Sequence, residues 1–440
     1  MNLFPFTVFL FNFLIAIAGL PAFKALPVHH EILANTGNIS RTNDKCMKNN
    51  GLIEDLMRQH PEYFAKILNN HDALKVQIIY TQIDRNASNA PSFTDYFFNV
   101  DSGKYFYPAS TVKMPVALLA LQRLHELRLP GLNKNSSMIT GADYSGQTAV
   151  YNDPSTPDGR PTVAQYVKKI FLVSDNDAFN RLYEFLGQEY INERLHKMGY
   201  PTIQINHRLE VSMTQDENRH SNPVSFYDPA GKRLYFQPMQ FNQRPYLTRN
   251  DFVGHGFFRD GKYVDHAMDF SIKNKICLED LHMILRSLIF PSSVPQNKRF
   301  NLNEEDYRFV YQYMSEFPPE SKYPFYDSAE YWDAYGKLLY WGSEKGKLPK
   351  TIRIFNKEGD AYGFLTDISY FCDFNKHVEF MLSATIYCNS DEILNDDHYD
   401  YVETGLPFMK QLGRVIYEYD AGRKRSYTPN LVPFMMNYDQ

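Results

Sequence analysis

Residues 162–187 read TVAQYVKKIFLVSDNDAFNRLYEFLG. Apolar side chains recur every three to four positions on both sides of Ser174-Asp175-Asn176, so helices are expected over 162–173 and 177–187, with a break between them. Ser, Asp and Asn are all good N-caps, and capping the second helix near Asp177 is the plain explanation of the triplet. The same break can also project a hydroxyl and a carboxamide into a cleft, the first to relay a proton and the second to hold a substrate amide. The choice depends on what the rest of the chain supplies.

Upstream, Ser110-Thr111-Val112-Lys113 opens an apolar stretch over 110–129 (Val116, Leu118, Leu119, Leu121, Leu124, Leu127) that reads as a buried helix. Positions i and i+3 share a helix face, so the amine can reach the hydroxyl. Serine needs a base to become a nucleophile. Lysine can act as that base only if burial or a nearby cation lowers its pKa. Alone the pattern says little, since average composition gives roughly one S-x-x-K in a chain of this length. Downstream, Lys357-Glu358-Gly359 ends the strand TIRIFNK (351–357). The lysine can fix a positive charge there and the glycine lets another backbone approach closely. A strand-end Lys and a turn Gly are the plain alternative.

Taken together and in this order, the three triplets resemble the serine β-lactamase and penicillin-binding protein set S-x-x-K, S-D-N, K-T-G. Residues 162–187 are similar to the helix–SDN–helix unit of class A β-lactamases, and NKEGDAYGFLTDISYF (356–371) to their K-T-G strand and turn. The strand–strand–helix lead into YPASTVKMP (107–115) is similar too. The resemblance covers about 51–205 and 340–425, and leaves 210–340 without a counterpart. It implies an exported hydrolase that opens β-lactam amides through a Ser110 acyl-enzyme. The alternatives are a D,D-peptidase or amidase of cell-wall peptides, and a non-turnover penicillin or muropeptide sensor. By the same resemblance Lys113 is base or proton relay, Ser174 the shuttle to the leaving nitrogen, and Asn176 a ligand of the substrate amide. Lys357 supplies a cation that favours an anionic substrate group and lowers the pKa of Lys113. The resemblance also makes the backbone N–H groups of Ser110 and Asp360 the oxyanion hole, and Gly359 the residue that lets the substrate backbone approach closely.

Two departures stand out. Glu358 replaces a hydroxyl residue that helps bind the substrate carboxylate, and repels that group unless it turns outward. The family's deacylation glutamate has its most natural counterpart at Met213, with Glu210, Asp216 and Glu217 as candidate bases nearby but out of register. Acylation therefore looks equipped and deacylation is expected to be slow.

The 440-residue chain has 46 Lys+Arg against 51 Asp+Glu, a formal net charge of −5, and 15% aromatic residues. That aromatic content argues against general disorder, and the acidic balance against a polyanion binder. Four cysteines without a C-x-x-C pair exclude zinc-ribbon and thioredoxin readings. No H-E-x-x-H or G-x-G-x-x-G is present, so neither metal nor cofactor is expected. The apolar run over 3–20 predicts a signal peptide within 1–25, or an uncleaved anchor, and hence a periplasmic or secreted protein. A polar arm follows (26–50), then a catalytic domain over 51–425 and a tail over 426–440. Strands are expected at 75–84, 93–100, 351–357, 364–374 and 378–388. Further helices are expected near 51–70, at 278–290 and within 405–420, and a hairpin over 226–236. The expected class is α+β: an antiparallel five-stranded sheet built from both chain ends (51–109 and 340–425), with an inserted all-helical lobe over 110–339 that includes an insertion at 210–339. The expected partner is a small β-lactam or wall peptide, without nucleic acid and without membrane contact beyond an anchor, and a monomer is expected.

Overall fold

The computed structural model describes residues 51–438; the leader, the polar arm and Cys46 lie outside them. Five long antiparallel strands form the main sheet: β1 (Gln77–Arg85), β2 (Pro91–Phe98), β3 (Ile352–Ala361), β4 (Phe364–Asp373) and β5 (Val378–Tyr387). Their order is β3-β4-β5-β1-β2, so the N-terminal hairpin adds to the C-terminal meander through β1 and β5, with Ile79 opposite Ser383. Every position of β4 and β5 is buried, which explains why they read as nearly continuous apolar runs: both faces are covered. β2, at the edge, mixes exposed and half-buried positions.

One face is covered by α1 (Leu52–Arg58), α2 (Pro61–Asn69) and α9 (Leu406–Gly422), whose Ile53, Phe64, Met409 and Ile416 join Tyr80 and Phe380 in one core. Of the one helix or two short ones expected near 51–70, the structure has two, because Pro61 cannot continue α1 but fits the first turn of α2. The other face carries the lobe: α3 (Lys113–Leu127), α4 (Val163–Val173), α5 (Asn176–Leu186), α6 (Gln188–Lys197), α7 (Leu278–Ile289) and α8 (Glu304–Ser315). α3 is buried nearly all round, as a helix at the centre of a lobe must be.

The lobe is not purely helical. Ser137–Thr140, Val224–Tyr227 and Arg233–Gln237 make a small three-stranded sheet. Its hairpin is the one expected at 226–236, closed where Asp228 Oδ1 accepts from the N–H groups of Ala230 and Lys232 at 2.9 Å each. The segment expected as a tail also packs. Leu431 and Phe434 are buried, and the Phe434 ring meets those of Tyr311, Phe355 and Tyr370 at centroid distances of 5.5, 5.7 and 4.9 Å.

Candidate active site

Asp175, not its neighbours, settles the question raised by Ser174-Asp175-Asn176. Its carboxylate caps α5 by accepting from Ala178 N at 2.7 Å. Ser174 ends α4 in the left-handed region at φ 59°, and Asn176 begins α5. With the cap supplied between them, both side chains are free to face the lobe–sheet seam.

They meet two buried lysines there. Lys113 Nζ donates to Asn176 Oδ1 at 2.6 Å and to Ser174 Oγ at 3.2 Å, and also bonds the Ser174 carbonyl. Lys357 Nζ approaches from β3 and donates to the same Ser174 Oγ at 2.8 Å. Burial holds the Lys113 amine well below the usual lysine range, and the Lys357 charge pushes the same way. A lysine whose charged form is disfavoured by burial gives up a proton more readily, as a general base must before it can take one.

Ser110 sits in a 3₁₀ turn (Ala109–Val112) one turn ahead of Lys113, and opens onto a cavity of about 370 Å³. Strand β3 presses against this turn: a Cβ on Gly359 would lie 2.7 Å from Ser110 N and 2.9 Å from Pro108 O. Real Cβ atoms do not approach backbone so closely, so the glycine is required for β3 to lie beside the serine. Asp360 lines the same cavity.

Glu358 neither turns outward nor stands free. Its carboxylate folds back onto its own neighbour, with Lys357 Nζ to Glu358 Oε1 at 2.9 Å and to the Glu358 carbonyl at 2.9 Å. Burial works to raise the Glu358 carboxyl, but the Lys357 charge and hydrogen bond hold it below the usual range. The charge of Lys357 is thus compensated inside the protein. Asn176 is engaged as well: its Nδ2 donates to Glu210 Oε2 at 2.5 Å.

That bond separates the three carboxylates singled out from sequence. Glu210 lines the Ser110 cavity. Asp216 instead accepts from the Tyr144 hydroxyl. Glu217 closes a capping box with Thr214 on the short helix Gln215–Arg219 and accepts from Ser145 Oγ at 2.8 Å. Met213, aligned from sequence with the deacylation glutamate, lines the neighbouring cavity rather than that of Ser110. Glu210 is held by its neighbours. Asn180 of α5 clamps Leu209 from both sides, accepting from its N–H at 2.8 Å and donating to its carbonyl at 3.0 Å. Arg208 is buried in an ion pair with Glu184 at 2.8 Å.

Six non-glycine residues at the site, Ala109, Ser174, Glu210, Tyr362, Asn395 and Asp397, have positive φ (45°, 59°, 57°, 53°, 59° and 64°). Such geometry costs of order 1–3 kcal/mol per residue and persists where surrounding contacts over-determine it. Tyr107, Tyr362, Asn395, Asp397 and Tyr399 also line the Ser110 cavity and were not singled out from sequence. Tyr107 and Tyr362 lie three residues from Ser110 and Gly359, a proximity that could have marked them. The loop at 395–399 carries no such signal.

With this geometry in hand, the profile of the β-lactamase enzyme family matches residues 61–316. The chain belongs to the β-lactamase enzyme family. The stretch matched by the β-lactamase profile carries Ser110, Lys113, Ser174, Asn176 and Glu210, runs through 210–316, and ends before Lys357. Among solved structures, a β-lactamase from Xanthomonas campestris is similar at 12% identity and a TM-score of 0.44, covering 83% of this chain and 98% of that one. The β-lactamase from Streptomyces albus G is similar at 12% identity and a TM-score of 0.43, over 83% of this chain and 99% of that one. PBP-A is similar at 13% identity and a TM-score of 0.43, over 83% and 95%. Comparison with curated proteins gives no match.

Proposed function

We propose that the protein is an exported serine hydrolase that opens β-lactam amides through a Ser110 acyl-enzyme. One observation carries the reading: Ser174 Oγ accepts from both Lys113 and Lys357, so nucleophile turn, relay hydroxyl and both lysines form one connected group beside Ser110. In the acylation step neutral Lys113 takes the Ser110 proton, directly or through Ser174, as Oγ bonds to the lactam carbonyl carbon. Backbone N–H groups of Ser110 and Asp360 receive the developing oxyanion. The carbon–nitrogen bond then breaks, and Ser174 passes the proton from Lys113 to the leaving nitrogen. Asn176 positions the amine of Lys113 and the carboxylate of Glu210 rather than acting through substrate alone. For deacylation, Glu210 takes a proton from water as it attacks the ester carbonyl, and Ser110 leaves protonated.

A peptidase reading is favoured by one feature. The Ser110 cavity adjoins a second one of about 600 Å³, room for more than a bicyclic lactam. A chromogenic cephalosporin and a D-alanine-ended peptide separate the readings. Repeated turnover of the lactam supports the hydrolase, D-alanine release the peptidase, and a single equivalent of burst without turnover a sensor. Absence of any covalent adduct at Ser110 with a fluorescent penicillin would sink all three.

A further inference from the structure

Another cavity, of about 360 Å³, shares no lining residue with the two at the Ser110 cleft. Its volume is that of a small-molecule site, roughly 300–1,000 Å³. One wall is the start of α6. The other is a two-stranded ribbon in which His220–Ser221 pairs with Gln240–Phe241.

Three features on these walls call for a ligand. First, α6 begins at Gly187 without a side-chain cap, so the first-turn N–H groups of Gln188, Glu189 and Tyr190 have no intrahelical acceptor. Secondly, Ser221 is 1% exposed and its hydroxyl has no hydrogen-bond partner among the described residues. Its Oγ lies 3.6 Å from where a Cβ on Gly187 would stand, and such a Cβ would collide with Gln240 Oε1. Gly187, at φ 75°, is thus what lets the hydroxyl and the Gln240 carboxamide lie against this helix end. Buried hydroxyls are nearly always bonded, and a ligand that bonds this one removes a standing cost. Thirdly, the Phe241 ring is 44% exposed although His220 stacks on it at 4.3 Å and 20°.

The charges lining the cavity are already engaged. Glu189 pairs with Arg244 at 2.6 Å and Glu193 with Lys197 at 2.5 Å. Arg219 donates to the Asn242 and Arg244 carbonyls at 2.9 and 2.7 Å and lies 4.0 Å from the centre of the Tyr246 ring. An anion at the helix start would meet the two carboxylates, and a cation would meet the positive end of the helix dipole. A neutral acceptor meets neither penalty.

We propose that this cavity binds a neutral sugar residue carrying an acetamido group, at a site separate from Ser110 and independent of the acyl-enzyme reading. The acetamido carbonyl accepts from the first turn of α6. Ring hydroxyls bond Ser221 Oγ and the Gln240 carboxamide. The C–H face of the pyranose rests on Phe241, whose negative π-face attracts it. Donors alone would suit any small polar molecule, and the exposed ring beside them selects one with a polar edge and an apolar face.

Titration calorimetry on the full chain tests this with two neutral probes, the N-acetylglucosamine trimer and cellotriose, which differ in their acetamido groups. The acetamido trimer is expected to bind at least about tenfold more tightly than cellotriose. Phe241→Ala and Ser221→Ala should each weaken it, the first by about tenfold, and Phe241→Tyr should retain it. Labelling of Ser110 by a fluorescent penicillin should be unchanged in all three variants and in the presence of the trimer, which also shows that the variants fold. Equal binding of the two probes, binding of neither, or binding that survives both Phe241→Ala and Ser221→Ala overturns the site. Trimer that competes with penicillin for Ser110 and ignores Phe241→Ala would place the sugar in the catalytic cleft and overturn it as well.

Discussion

The seam around Ser110 and the wall over 206–275 face each other across one cleft, yet they are built by different means. The seam is made where regular elements end: the start of α3, the α4–α5 junction and the end of β3. Each element fixes its residues by its own period, so a triplet at its end has a defined direction. The wall is made of loops, the short helix Gln215–Arg219 and strands of two to five residues, held largely by side-chain hydrogen bonds. Asn206 N donates to Asn274 Oδ1 at 2.7 Å, and Arg208 Nη2 donates to the His220 carbonyl and to Asn222 Oδ1 at 3.0 Å each. Nothing periodic announces such bonds. The candidate acylation residues on one side are therefore written in local pattern, and the position of Glu210 on the other in long-range pairing.

The sharpest test of the seam is Lys113→Ala. Loss of a general base should slow acylation by about 10²–10⁴-fold, read as the rate of Ser110 labelling by a fluorescent penicillin. A loss under about tenfold would reduce Lys113 to a buried structural amine, by the same yardstick.

The wall is tested next through Glu210. If its carboxylate activates the deacylating water, Glu210→Gln should slow turnover by about 10²-fold, toward the lower end for a base because the residue is open to solvent. Stopped-flow should then show a burst near one equivalent that the parent protein lacks. Asp216→Asn and Glu217→Gln serve as controls and should leave the burst absent. A burst already present in the parent would mean that Glu210 is positioned without acting, and that the slow deacylation expected from Met213 holds for another reason.

These two substitutions mark how far the sequence could be read. The five strands were legible to within about four residues at each end because β4 and β5 are apolar runs and β1 is nearly so. Ser110, Lys113, Ser174 and Lys357 were legible as triplets, but the bond of Glu358 to its own neighbour was not. Strand alternation says which face a residue takes, and a long side chain can fold back along the strand regardless. Glu210 was legible only as one of three carboxylates out of register, because its position comes from the Asn180 clamp on Leu209, across 29 residues of sequence. The packing of 426–438 was hidden because a polar, loop-rich segment gives no period for Phe434 to belong to.

Phe434 breaks the comparison in another way, since it is a buried anchor in a region with no regular element but a single 3₁₀ turn. Phe434→Ala should cost about 3–5 kcal/mol, the usual loss for a buried aromatic. The urea midpoint checks it, and a change within about 0.5 kcal/mol, typical of surface sites, would return the segment to the status of a loose tail.

The smallest expected effect concerns a buried imidazole that ties the lobe helix α7 to the main sheet. His282 of α7 contacts Thr81 Oγ1 of β1 through Nε2 and Ser383 Oγ of β5 through Nδ1, each at 2.8 Å. The Thr81 hydroxyl donates to Asp95 Oδ1 at 2.6 Å, so it accepts from His282, and Nε2 carries the proton of a neutral ring. Burial lowers the His282 pKa to about 4, with Arg286 pushing the same way against Asp95. Between pH about 6.5 and 4 the unfolded chain binds a proton that the folded one refuses, so stability falls as pH drops through that window and levels off below it. A shift of this size corresponds to about 3 kcal/mol. His207, also lowered to about 4, adds to the slope, while Asp367, raised to about 6, opposes it. The informative quantity is therefore a difference between proteins. His282→Gln should lower stability at pH 7.5 but flatten the change in urea midpoint between pH 7.5 and 4.5 by the equivalent of about 3 kcal/mol. Parallel pH profiles in the two proteins would mean that the folded state admits the proton, and that Ser383 turns its oxygen to accept it.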